Sequence, residues 1–135
     1  MDNKSSNNFA APIPILRSFD EAKTKEFYLD FLGFEIEFEH RFEPDTPLYM
    51  GVRKGDCVIH LSEHFGDSVP GIGLRIQVPD VVGYMEELRG KSYRHARPGV
   101  PHLMDWGTRD IVIQDPNGNR LCFYSVPEEN NGPSQ

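Results

Sequence analysis

The hydrophobic period of this chain changes in a fixed order, and the order occurs twice. Ile13–Arg17 is a short apolar run carrying Pro14, which has no ladder donor, so it predicts an edge or bulged strand. From Asp20 to Leu32 the apolar residues Phe27, Tyr28, Phe31 and Leu32 fall at helical spacing. Ser18 or Asp20 is placed to cap that helix, and Gly33 stands where a left-handed C-terminal cap is expected. Phe34 to Glu39 alternates strictly, which predicts a half-buried strand. After a loop from Pro44 to Pro47, Leu48–Val52 and Cys57–Leu61 read as a hairpin turned at Lys54-Gly55-Asp56.

The segment GDSVPGIG, Gly66–Gly73, reads as a linker, and beyond it the order repeats. Ile72–Val78 predicts a strand. Asp80 caps a helix running to about Arg89, with Val81, Met85 and Leu88 on one face and Gly90 after it. Ser92–Arg97 is the weakest strand of the set, followed by a loop with Pro98, Gly99 and Pro101. Trp106–Tyr124 then gives a closing hairpin: Ile111 and Ile113 alternate, Asp115-Pro116-Asn117-Gly118 turns, and Leu121 and Phe123 return. The expectation is an α+β fold of two β-α-β-β-β modules forming a curled mixed sheet. Residues 9–126 make a single two-module domain, with module one at 12–65 and module two at 71–126. The polar ends, 1–8 and 127–135, are expected to be disordered tails.

A formal charge of −7 argues against nucleic acid, which demands basic patches. It is compatible with a cationic ligand, although acidity for solubility alone is commoner. No apolar run reaches the roughly 20 residues of a membrane span, and the N-terminus lacks the apolar stretch of a signal peptide, so a cytoplasmic protein is expected. Cys57 and Cys122 are too few for a disulfide framework or a thiolate zinc site, and both read as buried free thiols. No catalytic triad spacing, phosphate loop or carboxylate pair stands out.

Two stretches, PILRSFDEAKTKEFYLDFLGFEIEF and WGTRDIVIQDPNGNRLCFY, carry a resemblance to the vicinal oxygen chelate superfamily, the glyoxalase/bleomycin-resistance proteins. It covers residues 12–126. The resemblance implies modules that curl around a cavity, pairing across a homodimer, and Pro14 at the place linked to exchange of the first strand. It also implies four metal-ligand places, which fall on Ile13, His60, Gly73 and Cys122. Ile13 and Gly73 have no donor, and a thiolate is a soft substitute for a carboxylate. The chain therefore resembles the metal-free branch, whose members sequester bleomycin-like antibiotics. No cofactor, metal or catalytic residue is expected. The alternatives are a glyoxalase-like metal-dependent lyase or other enzyme of that superfamily, and a binding module for an anionic metabolite.

A planar cationic ligand wants aromatic faces, balancing charge and a few hydrogen-bonding groups. The candidates are Phe38, Phe42, His60, Ser62, Arg75, His102 and Trp106. Trp106 reads equally as a groove wall and as a core or interface anchor. Phe38 shares parity with Phe34 and Ile36, which favours packing on the helix; Phe42 is freer. His60 falls on a ligand place and so should face the cavity, with Ser62 on the same face. Arg75 shares a face with Gly73 and opposes a cationic ligand. His102, with Asp105, precedes Trp106 and reads first as surface. The acidic run Glu35, Glu37, Glu39, Glu43 and Asp45 reads first as a solvated strand face.

Overall fold

The computed structural model describes residues 7–127, so most of both expected tails lies outside the described residues. Module one runs β1 (Ile15–Arg17), α1 (Glu21–Lys25) continued directly by a π-helical segment (Glu26–Phe31), β2 (Glu35–His40), β3 (Tyr49–Lys54) and β4 (Cys57–Ser62). Module two runs β5 (Gly73–Gln77), α2 (Val81–Arg89), β6 (His102–Leu103), β7 (Arg109–Gln114) and β8 (Arg120–Ser125). Each module folds into a four-stranded mixed sheet, ordered β1-β4-β3-β2 and β5-β8-β7-β6. In both, the first strand pairs parallel to the last and the remaining pairs are antiparallel. β1 is an edge strand, as Pro14 requires.

The helices start where their caps dictate. Asp20 accepts from Lys23 N at 2.9 Å and Asp80 from Gly83 N at 3.0 Å. Gly33 ends the first helix at φ +91°, a value that favours glycine. The π-helical segment is a departure from the α-helix expected to Leu32. Leu32 N donates to Phe27 O, five residues back, at 2.9 Å. This wider turn leaves Phe27, Tyr28, Phe31 and Leu32 all buried.

Two expected strands differ. Ser92–Arg97 enters no ladder: Tyr93 stacks on Phe31 with ring centroids 4.4 Å apart, and Arg89 Nε donates to Pro98 O at 2.9 Å, so the segment packs across the helices. Its place is taken by β6, two residues long, paired with β7. The half-buried pattern expected of Phe34–Glu39 also fails, because every residue of β2 is exposed. A bulge at Glu37 breaks the alternation: Ile36 pairs with Val52, and Phe38 pairs with the adjacent Gly51. Ile36 therefore shares the core-side register of the buried Val52, whereas Phe38 turns to the open face.

One hydrophobic core runs through both modules, from Leu16, Ile59 and Met50 to Ile111, Leu121 and Phe123. The β7–β8 turn joins them through buried polar groups. Asp115 Oδ1 accepts from the backbone of Asn117 and Asn119 at 2.8 Å each, and Oδ2 accepts from Tyr28 Oη at 2.7 Å. Asn117 accepts from Phe19 N and donates to Thr24; Asn119 donates to Arg17 O. The Asp-Pro-Asn-Gly-Asn sequence is thus a clasp holding module two's hairpin to β1 and α1 of module one.

Candidate functional site

The open face of each sheet presents one row of side chains set by strand register. In module one the row is Ile15, His60, Gly51 and Phe38. A Cβ on Gly51 would lie 2.4 Å from Phe38 Cε2, so only glycine lets that ring settle across β3. Phe38 then stacks on Tyr49 at 6.1 Å and meets His60 edge-on at 5.2 Å. Tyr49 Oη and His60 Nδ1 are 2.8 Å apart, in hydrogen-bond contact. Burial, followed by the charge of Asp67, pushes the Tyr49 hydroxyl above its ordinary pKa, so it remains protonated. This forms an aromatic platform with one polar edge. Phe42 stands at its margin, 76% exposed, between His40 and His64. Ser62 is fully buried: its hydroxyl donates to Asp67 at 2.7 Å and accepts from His64 N at 3.1 Å, which orders the following loop.

Module two carries a cleft of about 760 Å³, within the size range of small-molecule sites. Arg75, His102, Trp106, Asp110, Val112 and Cys122 line it, with Asp105 and Met104 near Trp106. Arg75 Nη1 donates to Asp110 Oδ2 at 2.9 Å, and its guanidinium lies 4.3 Å over the Tyr124 ring. Thr108 Oγ1 donates to Asp110 Oδ1 at 2.7 Å and accepts from Trp106 Nε1 at 2.9 Å. One carboxylate therefore fixes both the arginine and, through Thr108, the indole. Burial favours the neutral acid of Asp110, but hydrogen bonds from Thr108, Arg75 and Cys122 outweigh it and hold the carboxyl below its usual range. Burial, then Asp110, pushes the Cys122 thiol up, so it stays a protonated donor. Trp106 is 63% exposed, its indole edge tethered and its face open to the cleft.

The superfamily's divalent metal does not fit these residues. The register partner of His60 is Ile15, and that of Cys122 is Arg75. Each lies two residues beyond the Ile13 and Gly73 that the resemblance marks. Ile15 offers no donor, and Arg75 is a cation held by Asp110. Among the described residues no three His, Cys, Asp or Glu side chains converge as a ligand set.

The structure thus sorts the candidates into two groups. Arg75, His102 and Trp106 meet in the module-two cleft; Phe38 and His60 meet on the module-one platform, with Phe42 beside them. No module-one residue lines the cleft. Sequence reading missed Tyr49, Gly51, Thr108 and Asp110. Asp110 had a partial signal: the two-residue spacing from Thr108 puts both side chains on one face of an extended segment, although nothing in the spacing pairs Asp110 with Arg75. Gly51 had none, because its role depends on a bulge in the neighbouring strand.

The model of the family described as glyoxalase superfamily protein matches residues 3–132. No protein of curated function matches the chain in sequence. Among solved structures, the bleomycin-binding protein of the bleomycin-producing Streptomyces verticillus, complexed with copper(II)-bleomycin, is 28% identical at TM-score 0.66, covering 90% of this chain and 98% of that one. A bleomycin-binding protein complexed with bleomycin is 22% identical at TM-score 0.68, over 88% of this chain and 100% of the other. An antibiotic-binding protein from Streptomyces sp. CB03234 is 21% identical at TM-score 0.71, over 90% and 98%. The last two are likenesses of fold. With two equivalent β-α-β-β-β modules and a family match spanning nearly the whole sequence, the chain belongs to the glyoxalase superfamily.

Proposed function

We propose that this protein binds a planar, cationic small molecule of the bleomycin type and sequesters it without metal chemistry, conferring resistance. The carrying observation is the Arg75–Asp110 pair. An arginine in the cleft opposes a cation only if its charge is free, and here a carboxylate 2.9 Å away matches it. The same pairing weakens the reading of Arg75 as the receptor for an anionic metabolite. What remains for a ligand is the exposed face of Trp106, with His102 and Asp105 beside it, and Arg120, whose single positive charge the negative charge of Asp105 equals in number. A planar heteroaromatic ring stacks there, and an aromatic face attracts its positive charge.

The platform of Phe38, Tyr49 and His60 supplies a second aromatic surface, but on the other sheet. A homodimer apposing module one of one chain to module two of its partner completes both grooves, and we take that as the working assembly. Among the described residues no helix is long and apolar enough to cross a membrane; we place the protein in the cytoplasm. The likeness to a protein solved with copper(II)-bleomycin supports the ligand class. Calorimetric titration with bleomycin tests the proposal. Saturable heat at micromolar protein is expected; its absence rejects this ligand.

A further inference from the structure

A second cavity, of about 660 Å³, opens where the tip of the β3–β4 hairpin meets the end of β5 and the start of α2. It shares no lining residue with the Trp106 cleft. Its floor is apolar: Phe34 and Phe123 are 4% and 2% exposed, with Ile76 and Tyr84 beside them. The Tyr84 hydroxyl is committed elsewhere, donating to Leu32 O at 2.8 Å. The rim is acidic. Among the lining residues Asp56, Asp80 and Glu87 outnumber the one cation, Lys54, so three carboxylates less one ammonium leave a net −2, with Arg53 in electrostatic reach of Asp56 just outside the lining. Lys54 extends over the end of the first helix, where a Cβ on Gly33 would lie 3.1 Å from its Nζ. Asp80 uses one oxygen to cap α2, and Glu87 reaches Lys91 only at 3.9 Å.

An apolar floor beneath a negative, hydrated rim selects an amphiphile with one hydrophobic ring and one positive charge. The ring leaves water, while the charge stays at the rim, so little desolvation is paid. We infer that this cavity is a second small-molecule site, for a small aryl- or cycloalkyl-amine seated on Phe34 and Phe123 with its ammonium among Asp56, Asp80 and Glu87. It stands independently of the ligand proposed for the Trp106 cleft.

Cys57 reports on this site. Its half-buried thiol lines the cavity, whereas Cys122 lines the other. The probe is 2-phenylethylamine, with 2-phenylethanol and 3-phenylpropionate as neutral and anionic counterparts. Alkylation of the full-length protein by iodoacetamide is followed at each cysteine by peptide mass spectrometry. With the amine at several times a Kd of about 1 mM, Cys57 should react about fivefold more slowly. Cys122 should keep its rate, and neither counterpart should protect. The Asp56→Asn/Glu87→Gln double variant, altered only at exposed rim positions, should lose the protection. An unchanged Cys57 rate, equal protection by all three compounds, or protection surviving in the double variant overturns the inference.

Discussion

Gly51 lies directly beneath the ring of Phe38, and a Cβ there would come within 2.4 Å of Cε2. The contact exists because the bulge at Glu37 turns Phe38 onto the open face, above β3. Gly51→Ala should therefore displace the ring. Phe38 is 39% exposed and can swing outward, so the stability cost should stay near the low end of overpacking, about 1 kcal/mol. Bleomycin affinity should fall as far as it does in Phe38→Ala, and the double variant should be no weaker than either single one. Additive losses in calorimetry would separate the two residues.

Asp110 holds Arg75 and, through Thr108, Trp106. Asp110→Asn removes the charge that matches Arg75 and leaves a net cation in the cleft. Affinity for a cationic ligand should fall about tenfold or more, the scale of a close interfacial charge pair. Arg75→Met in the same background should recover part of it. The folded carboxyl titrates below its unfolded value, so folding favours the ionised form. That stabilisation is complete above the unfolded pKa of about 4 and disappears as pH falls through the lower folded value. Thermal melts from pH 7 to pH 2 should show the wild type losing its advantage over Asp110→Asn only in that acid range.

The clasp at Asp115 makes a separate, stability-only prediction. Asp115 is buried and accepts from Tyr28, Asn117 and Asn119. Asp115→Ala leaves several buried donors without an acceptor and should cost about 3–5 kcal/mol. Tyr28→Phe removes one bond and should cost about 1–2 kcal/mol. Denaturant unfolding measures both; a loss under 1 kcal/mol for Asp115→Ala would contradict the clasp.

The poor fit of the donor set predicts indifference to divalent cations. Treatment with a chelator, or addition of stoichiometric zinc, nickel or manganese, should leave the melting temperature and bleomycin affinity unchanged. A rise of several degrees with one metal would reveal a ligand set beyond His60 and Cys122.

Local chemistry made much of this fold legible. Asp20 and Asp80 announce helix starts, Gly33 announces an end, and Gly55 and Gly118 adopt the positive φ their turns need. The duplicated element order also shows through, because hydrophobic period survives wherever a sheet has one buried face. What failed was set by partners distant in sequence. The parity of Phe34, Ile36 and Phe38 is continuous in the chain, yet the bulge breaks it and moves Phe38 to the open face. Ser92–Arg97 carries one strand-favouring residue, Tyr93, and its ring stacks on Phe31 while the segment enters no ladder. Ser62 shares the open face of His60 by parity, and the loop that buries it is invisible to periodicity. Arg75 looked like an obstacle to a cation because Asp110, 35 residues away, could not be paired with it from spacing alone.

The function proposed for this chain is binding without chemistry. Equilibrium dialysis of chelator-treated protein against bleomycin, with the retained ligand released and weighed by mass spectrometry, tests both halves together. Saturable retention of about one molecule per chain, recovered with its mass unchanged, is the predicted result. No retention at micromolar protein, or recovery of a chemically altered ligand, would contradict it.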